Sequence, residues 1–287
     1  MGVTEAGKGL TMHGWPNHGG RNCMKYVPGA QQNNTKKSLG QHWLHDQASL
    51  DGIVDAADVK SGDQVLEIGP GLGTLTDVLI KRGAKVTALE FDQDLVPKLQ
   101  QKYADIDSVT ILQGDIRTFD FSTMAHGYKI IANIPYYLTS HLIRSISETN
   151  NQPIVASLLI QKEVAERLCA SPGQMGILSV TSQFYFDCQL GLEVPAQLFT
   201  PPPKVDSQVA VLWRRMEKLF AVDEQKYFNL VKAGFSEKRK TLRNSLSGGL
   251  RIEKENVEML LASAGLKPTA RAQELSLQDW HKLYLKL

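Results

Sequence analysis

The residues most suited to chemistry are Asn133-Ile134-Pro135-Tyr136, which follow the apolar run Lys129-Ile130-Ile131-Ala132 and precede a second aromatic, Tyr137. An amide, a rigid proline and an aromatic ring at the mouth of a strand would hold a flat polar ring. A plain turn would use the same residues, since Pro135 fixes φ and biases Ile134 towards extended backbone. The chemistry concerns an amine attached to an aromatic ring, a poor nucleophile because its lone pair is delocalised. The Asn133 side-chain oxygen and the Ile134 carbonyl would accept its two protons and draw the nitrogen towards tetrahedral geometry. Pro135 presents that carbonyl, and Tyr136 stacks on the ring. Base stacking contributes about 1–3 kcal/mol, enough to offset much of the few kcal/mol needed to expose a base.

A second constellation supplies the electrophile. Gly69, Gly71 and Gly73 follow the strand-like Gln64–Ile68, and glycine permits the tight turn and close backbone approach that nucleotide-like ligands need. A dinucleotide fingerprint would place its third glycine at position 74, which is Thr74. Glu67 in the preceding strand suits a cationic ligand better than a phosphate, and S-adenosylmethionine carries a sulfonium and an ammonium. Glu90 closes the next strand and can accept both ribose hydroxyls; Asp115 closes the third and can take an adenine amino group. Singly, each acid is what an exposed strand end would carry. Three consecutive strands ending in a glycine loop, Glu and Gly-Asp point together to an adenosyl site, because open parallel sheets bind ligands at their carboxyl ends. Positioning beside an activated methyl donor needs neither a metal nor a strong general base.

The elements that must position these residues follow from periodicity. Leu50, Ile53, Val54 and Ala57 have helical spacing, and the segment from Lys36 through Leu44 reads as a cationic glycine turn leading into helix-like sequence. Strands are expected at 64–68, 85–89, 109–112, 129–132, 154–160 and 208–214, with helices carrying Leu75, Val78 and Leu79, then Leu95, Val96 and Leu99, then Val164, Ala165 and Leu168, and a further helix at 176–186. Alternating strand and helix predicts an α/β fold with a parallel sheet covered on both faces. Phe199 to Asp206 contains Pro201, Pro202 and Pro203 and reads as a stiff extended loop. Beyond Arg215 the pattern is helical only, with Ser276 as N-cap and Asp279 three residues on. Three regions are therefore expected: a disordered arm at 1–35, an α/β domain at 36–215 and a small all-helical domain at 216–287.

Composition narrows the class. Hydrophobic content of 42% and charged content of 22% fit a soluble globular protein, and no apolar run is long enough to span a bilayer. No signal peptide is evident, so a cytoplasmic location is expected. Cys23, Cys169 and Cys188 have neither a paired count nor metal-ligand spacing, and the His13, His18, His42 and His45 group lacks accompanying Asp, Glu or Cys. The net charge is +2, yet Arg214 to Arg251 holds ten Lys/Arg against four Asp/Glu. Lys238, Arg239, Lys240 and Arg243 interleave with Ser236, Thr241 and Asn244, a mixture suited to phosphate contacts. A solvated helical face would look alike, and Arg243 could instead pack or cap.

Leu39-Gly40-Gln41-His42-Trp43-Leu44, Glu67 to Gly73, Asn133 to Tyr136, Phe199 to Ser207 and Phe235 to Asn244 together resemble the small-subunit rRNA adenine dimethyltransferase family, from about Lys36 to the C-terminus. The resemblance implies a seven-stranded, Rossmann-like methyltransferase sheet with a helical rRNA-binding domain. It implies S-adenosylmethionine as cofactor, and 16S rRNA in the small ribosomal subunit as partner. The implied reaction dimethylates the exocyclic amines of two adjacent adenosines in a hairpin near the 3′ end, by a monomer without metal. By the same resemblance His42 and Leu44 line the donor site with Gly71, and Gly69 meets the donor's amino-acid part. Glu90 would meet its ribose and Asp115 its adenine. Asn133 bridges donor and acceptor, and Tyr136 and Phe199 sandwich the base; a core role for Phe199 is the alternative. His42 stands where Asn is frequent and Trp43 where Phe is usual; the arm is longer than the family's, and Met24 is an alternative start. Competing functions are a non-catalytic assembly factor on this fold and a large-subunit methylase of the macrolide-resistance type.

Overall fold

The computed structural model describes residues 41–237 and 239–287, with the backbone but not the side chain of Tyr136. The expected arm at 1–35, the turn at Lys36 to Gly40, Lys238 and the Tyr136 ring lie outside the described residues.

A seven-stranded sheet forms from β2 (Gln64–Ile68), β3 (Lys85–Glu90), β4 (Val109–Gln113), β5 (Lys129–Asn133), β6 (Val155–Gln161), β7 (Phe186–Val194) and β9 (Ser207–Arg214), in the order β4-β3-β2-β5-β6-β9-β7. The first four junctions are parallel, whereas β9 runs antiparallel to both β6 and β7. The expected parallel sheet is present, and its pairing departs from parallel only at β9. Strand β7 was not anticipated: Phe186, Cys188 and Leu190 alternate with polar residues, but a shifted register between Leu190 and Glu193 interrupts the period.

Strand periodicity divides the interior. Leu66, Ile68, Ile130, Ala132 and Leu158 face one core with Leu142, Ile143 and Ile146 of α4 (Thr139–Glu148). Val65, Ile131 and Leu159 face the other with Ile53 and Val54 of α1 (Gln47–Asp55) and Val78 and Leu79 of α2 (Thr74–Lys81). Every residue of β6 but the last is buried, as a strand covered on both faces requires. Helix α3 (Val96–Lys102) covers β4, and α5 (Lys162–Leu168) follows β6.

Residues 41–44 are not helical. Trp43–Leu44 form β1, paired antiparallel with β8 (Phe199–Thr200), and the helix begins only after Asp46, whose carboxylate accepts from the Ser49 amide at 2.8 Å. Asp46, a favoured N-cap residue two positions past Leu44, marks the true start. The triple-proline loop opens with a cis Thr200-Pro201 peptide.

A third core joins α6 (Ile177–Tyr185) to α7 (Glu224–Gly234), α8 (Leu242–Leu250), α9 (Lys254–Ser263) and α10 (Leu277–Tyr284) around the fully buried Tyr227 and Trp280. The expected Ser276–Asp279 capping box is present.

Lys129, 6% exposed, enters β5 at the end remote from Asn133. Its Nζ donates to Ala57 O (3.0 Å) and Asp58 O (2.7 Å) and faces Asp63 at 2.9 Å, satisfying carbonyls at the end of α1. Lys129→Met strips those acceptors of their donor and should lower stability by about 2–3 kcal/mol in urea titration. Ligand affinity of the folded variant should be unchanged, because the substitution lies at the opposite strand end.

Candidate active site

Strand register builds the site. Ile68 lies opposite Leu89 on one side and Ala132 on the other, and Leu89 lies opposite Leu112. The next residues, Gly69, Glu90, Gln113 and Asn133, therefore form one row at the carboxyl edge. Chain order reverses between β2 and β5, and such a switch point opens a crevice. A cleft at that point is lined by His42, Leu44, Gly69, Gly71, Glu90, Asp115, Asn133, Ile134, Pro135 and Phe199, the residues named from sequence. The Tyr136 ring is outside the described residues.

The glycine loop is held from behind. Gly69, Gly71 and Gly73 all have positive φ, and a Cβ on Gly73 would lie 2.2 Å from Tyr103 Oη. Tyr103 Oη sits 2.8 Å from Gly73 O and 2.7 Å from Asp77 Oδ1, donating its one hydrogen to either. Lys102 Nζ donates to Leu72 O at 3.2 Å and to Asp77 Oδ2 at 2.8 Å. Neither Lys102 nor Tyr103 was anticipated; Tyr103 is apolar in bulk, and its place just past the end of α3 gave no sign of the hydroxyl's target.

Glu90 is 5% exposed and accepts from Gly71 N (3.1 Å) and Asp92 N (2.8 Å) through different oxygens. Burial raises its carboxyl, against the pull of those two amides. Each carboxylate oxygen keeps a lone pair for another donor. Asp115 lies two residues beyond the row and pairs with Arg117, whose Nε is 2.9 Å from Oδ2 and whose Nη2 is 2.5 Å from it. The Arg117 guanidinium holds Asp115 below the usual carboxylate range.

Asn133 Nδ2 donates to His42 O at 3.3 Å, which leaves its oxygen as the free acceptor of the amide. His42 Nδ1 donates to Pro201 O at 2.7 Å, tying β1 to the proline loop. Thr74 Oγ1 donates to Leu44 O at 3.1 Å, tying β1 to the glycine loop. Ile134 is buried as a whole residue and borders the cleft between Asn133 and Pro135. Phe199 is 3% exposed and shares a core with Leu44 and Ile131. Its ring forms cleft floor and core at once. Trp43, Phe91, Arg117 and Tyr137 also line the cleft, with Phe91 and Tyr137 more than half exposed. Sequence reading named Trp43 and Tyr137 without giving them a place in the site and passed over Phe91 and Arg117, although Phe91 directly follows the acid that ends β3.

Glu67 is a correction. It was expected to face a cationic ligand, but strand period two turns it from the cleft towards α2, where it is wholly buried and accepts from Thr76 Oγ1 at 2.7 Å. Its other oxygen has no partner. Burial pushes its carboxyl up to about 8 against the pull of Thr76.

The four cations of the basic segment separate. Arg239 and Lys240 are exposed in the turn between α7 and α8. Arg243 faces Glu258 Oε1 at 2.5 Å, so much of its charge is met within the fold. Lys238 lies outside the described residues. Among the described residues no cluster of three or more His, Cys, Asp or Glu could hold a metal, and no helix is long and apolar enough to cross a membrane.

The donor set fits S-adenosylmethionine: a glycine cradle, an acid with spare lone pairs and an amide whose oxygen is free, arranged across three strand ends. Residues 32–287 match the family model for ribosomal RNA adenine dimethylase. The chain is 41% identical over 254 residues to a ribosomal RNA small subunit methyltransferase A of Dehalococcoides mccartyi, covering 87% of each. It is 42% identical to that of Syntrophotalea carbinolica, covering 86% of this chain and 95% of the relative. Among solved structures, a dimethyladenosine transferase from Plasmodium falciparum superposes with TM-score 0.73 at 27% identity, over 84% of this chain and 96% of that one. The 23S rRNA methyltransferase ErmE superposes with TM-score 0.71 at 28% identity, over 85% and 99%.

The Glu67 environment yields a pH test. The neutral carboxyl stabilises the fold in full below its unfolded value of roughly 4.3, and that stabilisation is lost as pH rises through about 8. Glu67→Gln keeps an acceptor for Thr76 and cannot ionise. From about pH 5 to about pH 9 its melting temperature should gain on wild type, by about 2–4 °C for each ~1 kcal/mol. A gap independent of pH would show that Glu67 titrates alike in both states.

Proposed function

The chain belongs to the ribosomal RNA adenine dimethylase family, and from that premise we propose that it dimethylates the exocyclic amines of two adjacent adenosines near the 3′ end of 16S rRNA. The class of activity, adenine dimethylation of small-subunit rRNA, comes with the family and with relatives about 40% identical over most of their length. The finer assignment rests on one observation above the others. Asn133 stands level with Gly69 at the switch point, its amide nitrogen committed to His42 O and its oxygen free to accept.

When bound, S-adenosylmethionine supplies a sulfonium-activated methyl group. Gly69, Gly71, His42 and Leu44 enclose the donor, Glu90 accepts from its ribose hydroxyls, and Asp115, oriented by Arg117, meets its adenine edge. Asn133 Oδ1 and the Ile134 carbonyl accept the two protons of the target amine and pull its lone pair out of conjugation. Pro135 fixes that carbonyl, Tyr136 stacks on the base, and Phe199 closes the pocket beneath it. The acceleration comes from placing the amine and from fixed acceptors at the reacting nitrogen.

Residues 216–287 act as the rRNA-binding part of this cytoplasmic, monomeric enzyme, with Lys238, Arg239 and Lys240 on phosphates. Arg243 braces α8 against Glu258 and contributes to the positive field. Arg239→Glu with Lys240→Glu should weaken association with small subunits and flatten its salt dependence by roughly one unit of slope per lost contact. Donor binding should be unaffected.

The deciding experiment incubates the protein with labelled methyl donor and small subunits lacking the modification, then maps the labelled bases. Label on two adjacent adenosines of 16S rRNA is expected, and Asn133→Ala should lower its rate at least ~100-fold. Label on large-subunit rRNA would favour the second reading, to which the likeness to ErmE points. Undiminished turnover by Asn133→Ala would remove the mechanism, and no label at all would leave an assembly factor.

A further inference from the structure

We infer that the indole N–H of Trp43 is a binding contact for the carboxylate of the methyl donor, an inference that rests on the reading of the cleft as an S-adenosylmethionine site. Seven side-chain polar atoms are buried without a hydrogen-bond partner among the described residues, and Trp43 Nε1 is the one that belongs to a cleft residue. Indole is a donor only. A buried donor left unpaired costs free energy comparable to a lost hydrogen bond, so an acceptor arriving with a ligand would be favoured there.

The geometry says which acceptor. A Cβ built on Gly71 would lie 3.4 Å from both Cδ1 and Nε1 of Trp43, so the edge of the ring that carries the N–H abuts the glycine loop. Strand β1 brings it there, held by Leu44 O to Thr74 and by His42 O to Asn133. Adenine and ribose belong, on the reading above, to Asp115 and Glu90 at the ends of β4 and β3. What remains of the donor then extends to the ends of β2 and β5, where Trp43 sits. That part carries a sulfonium, an ammonium and a carboxylate, and among these only the carboxylate accepts a hydrogen bond. A phenylalanine would keep the aromatic wall against Gly71 and lose the donor.

The test compares two ligands by calorimetry on the full chain: S-adenosylhomocysteine, which has the carboxylate, and 5′-methylthioadenosine, which lacks the whole amino-acid end. Trp43→Phe should weaken S-adenosylhomocysteine by about 5- to 20-fold and leave 5′-methylthioadenosine within about twofold of wild type. The second ligand also reports whether the variant folds. In 15N-labelled wild type, the indole resonance missing from Trp43→Phe should shift with S-adenosylhomocysteine and stay in place with 5′-methylthioadenosine. Equal loss for both ligands, or no loss for either, overturns the contact, as does an indole resonance indifferent to the carboxylate. Wild type binding neither ligand would overturn the donor site itself, and the contact with it.

Discussion

The parallel pairing of β2 with β3 on one side and β5 on the other is the constraint from which the site follows. Residues that are far apart in the chain reach the carboxyl edge in step because Ile68 is opposite both Leu89 and Ala132. A slip of one residue in β5 would turn Asn133 into the sheet and bring a buried isoleucine to the edge, since strand side chains alternate between faces. Both faces of this sheet are packed, so such a slip would also carry Lys129 and Asn133, which share a face, together to the other side of the sheet. The hydrophobic pattern that fixes the fold thereby fixes the distance between the glycine loop and the amide.

The cleft also depends on what stands behind it. Three acids lie near the first three strand ends, yet they do not act alike. Glu67 is sealed from water and favours its neutral form, so it adds little field to the cleft and serves by accepting from Thr76. Asp115 is charged but matched by Arg117. Glu90 is the acid whose unshared lone pairs face the cleft while two backbone amides steady it. On the proposed reading, the acid that meets the ligand is therefore one carboxyl group held in place rather than a general negative charge. Tyr103, Lys102 and Asp77 complete the support by fixing the carbonyls of the loop, so its amides keep one orientation.

Much of this was legible in the sequence. The glycine loop, Glu90, Asp115 and Asn133 were found because they end apolar runs of strand length, and ends of parallel strands converge whatever the helices between them do. The seventh strand was missed because its alternation breaks near Gly191, where a Cβ would lie 3.1 Å from that of Val209. Residues 41–44 were misread because two residues of strand have no period of their own; only their pairing with Phe199 and Thr200 makes them extended. Glu67 was read as facing a ligand because it is acidic and close to the loop in sequence, and proximity in a strand says nothing about face unless the period is counted. The supports from Tyr103 and Lys102 arise about thirty residues from the loop and follow from helix packing, which no local pattern encodes.

The helical part bears on the reaction through α6. Val180 and Phe184 belong to the helical core, whereas Leu178 packs against the core of the sheet and Tyr185 touches both. Tyr185 Oη donates to Glu224 at the start of α7, and Arg215 Nε donates to Gln183 O. One helix thus ties the turn carrying Arg239 and Lys240 to the sheet that carries Asn133, through packed side chains and half-buried hydrogen bonds rather than a linker. On the proposed reading, a polyanion held at that turn is held at a set offset from the cleft. Exposed cations contribute affinity that is indifferent to sequence. Joined rigidly to the cleft, they would also decide which bases of a folded hairpin can reach the amide, and selectivity would then reside in the spacing between two sites more than in contacts to any one base.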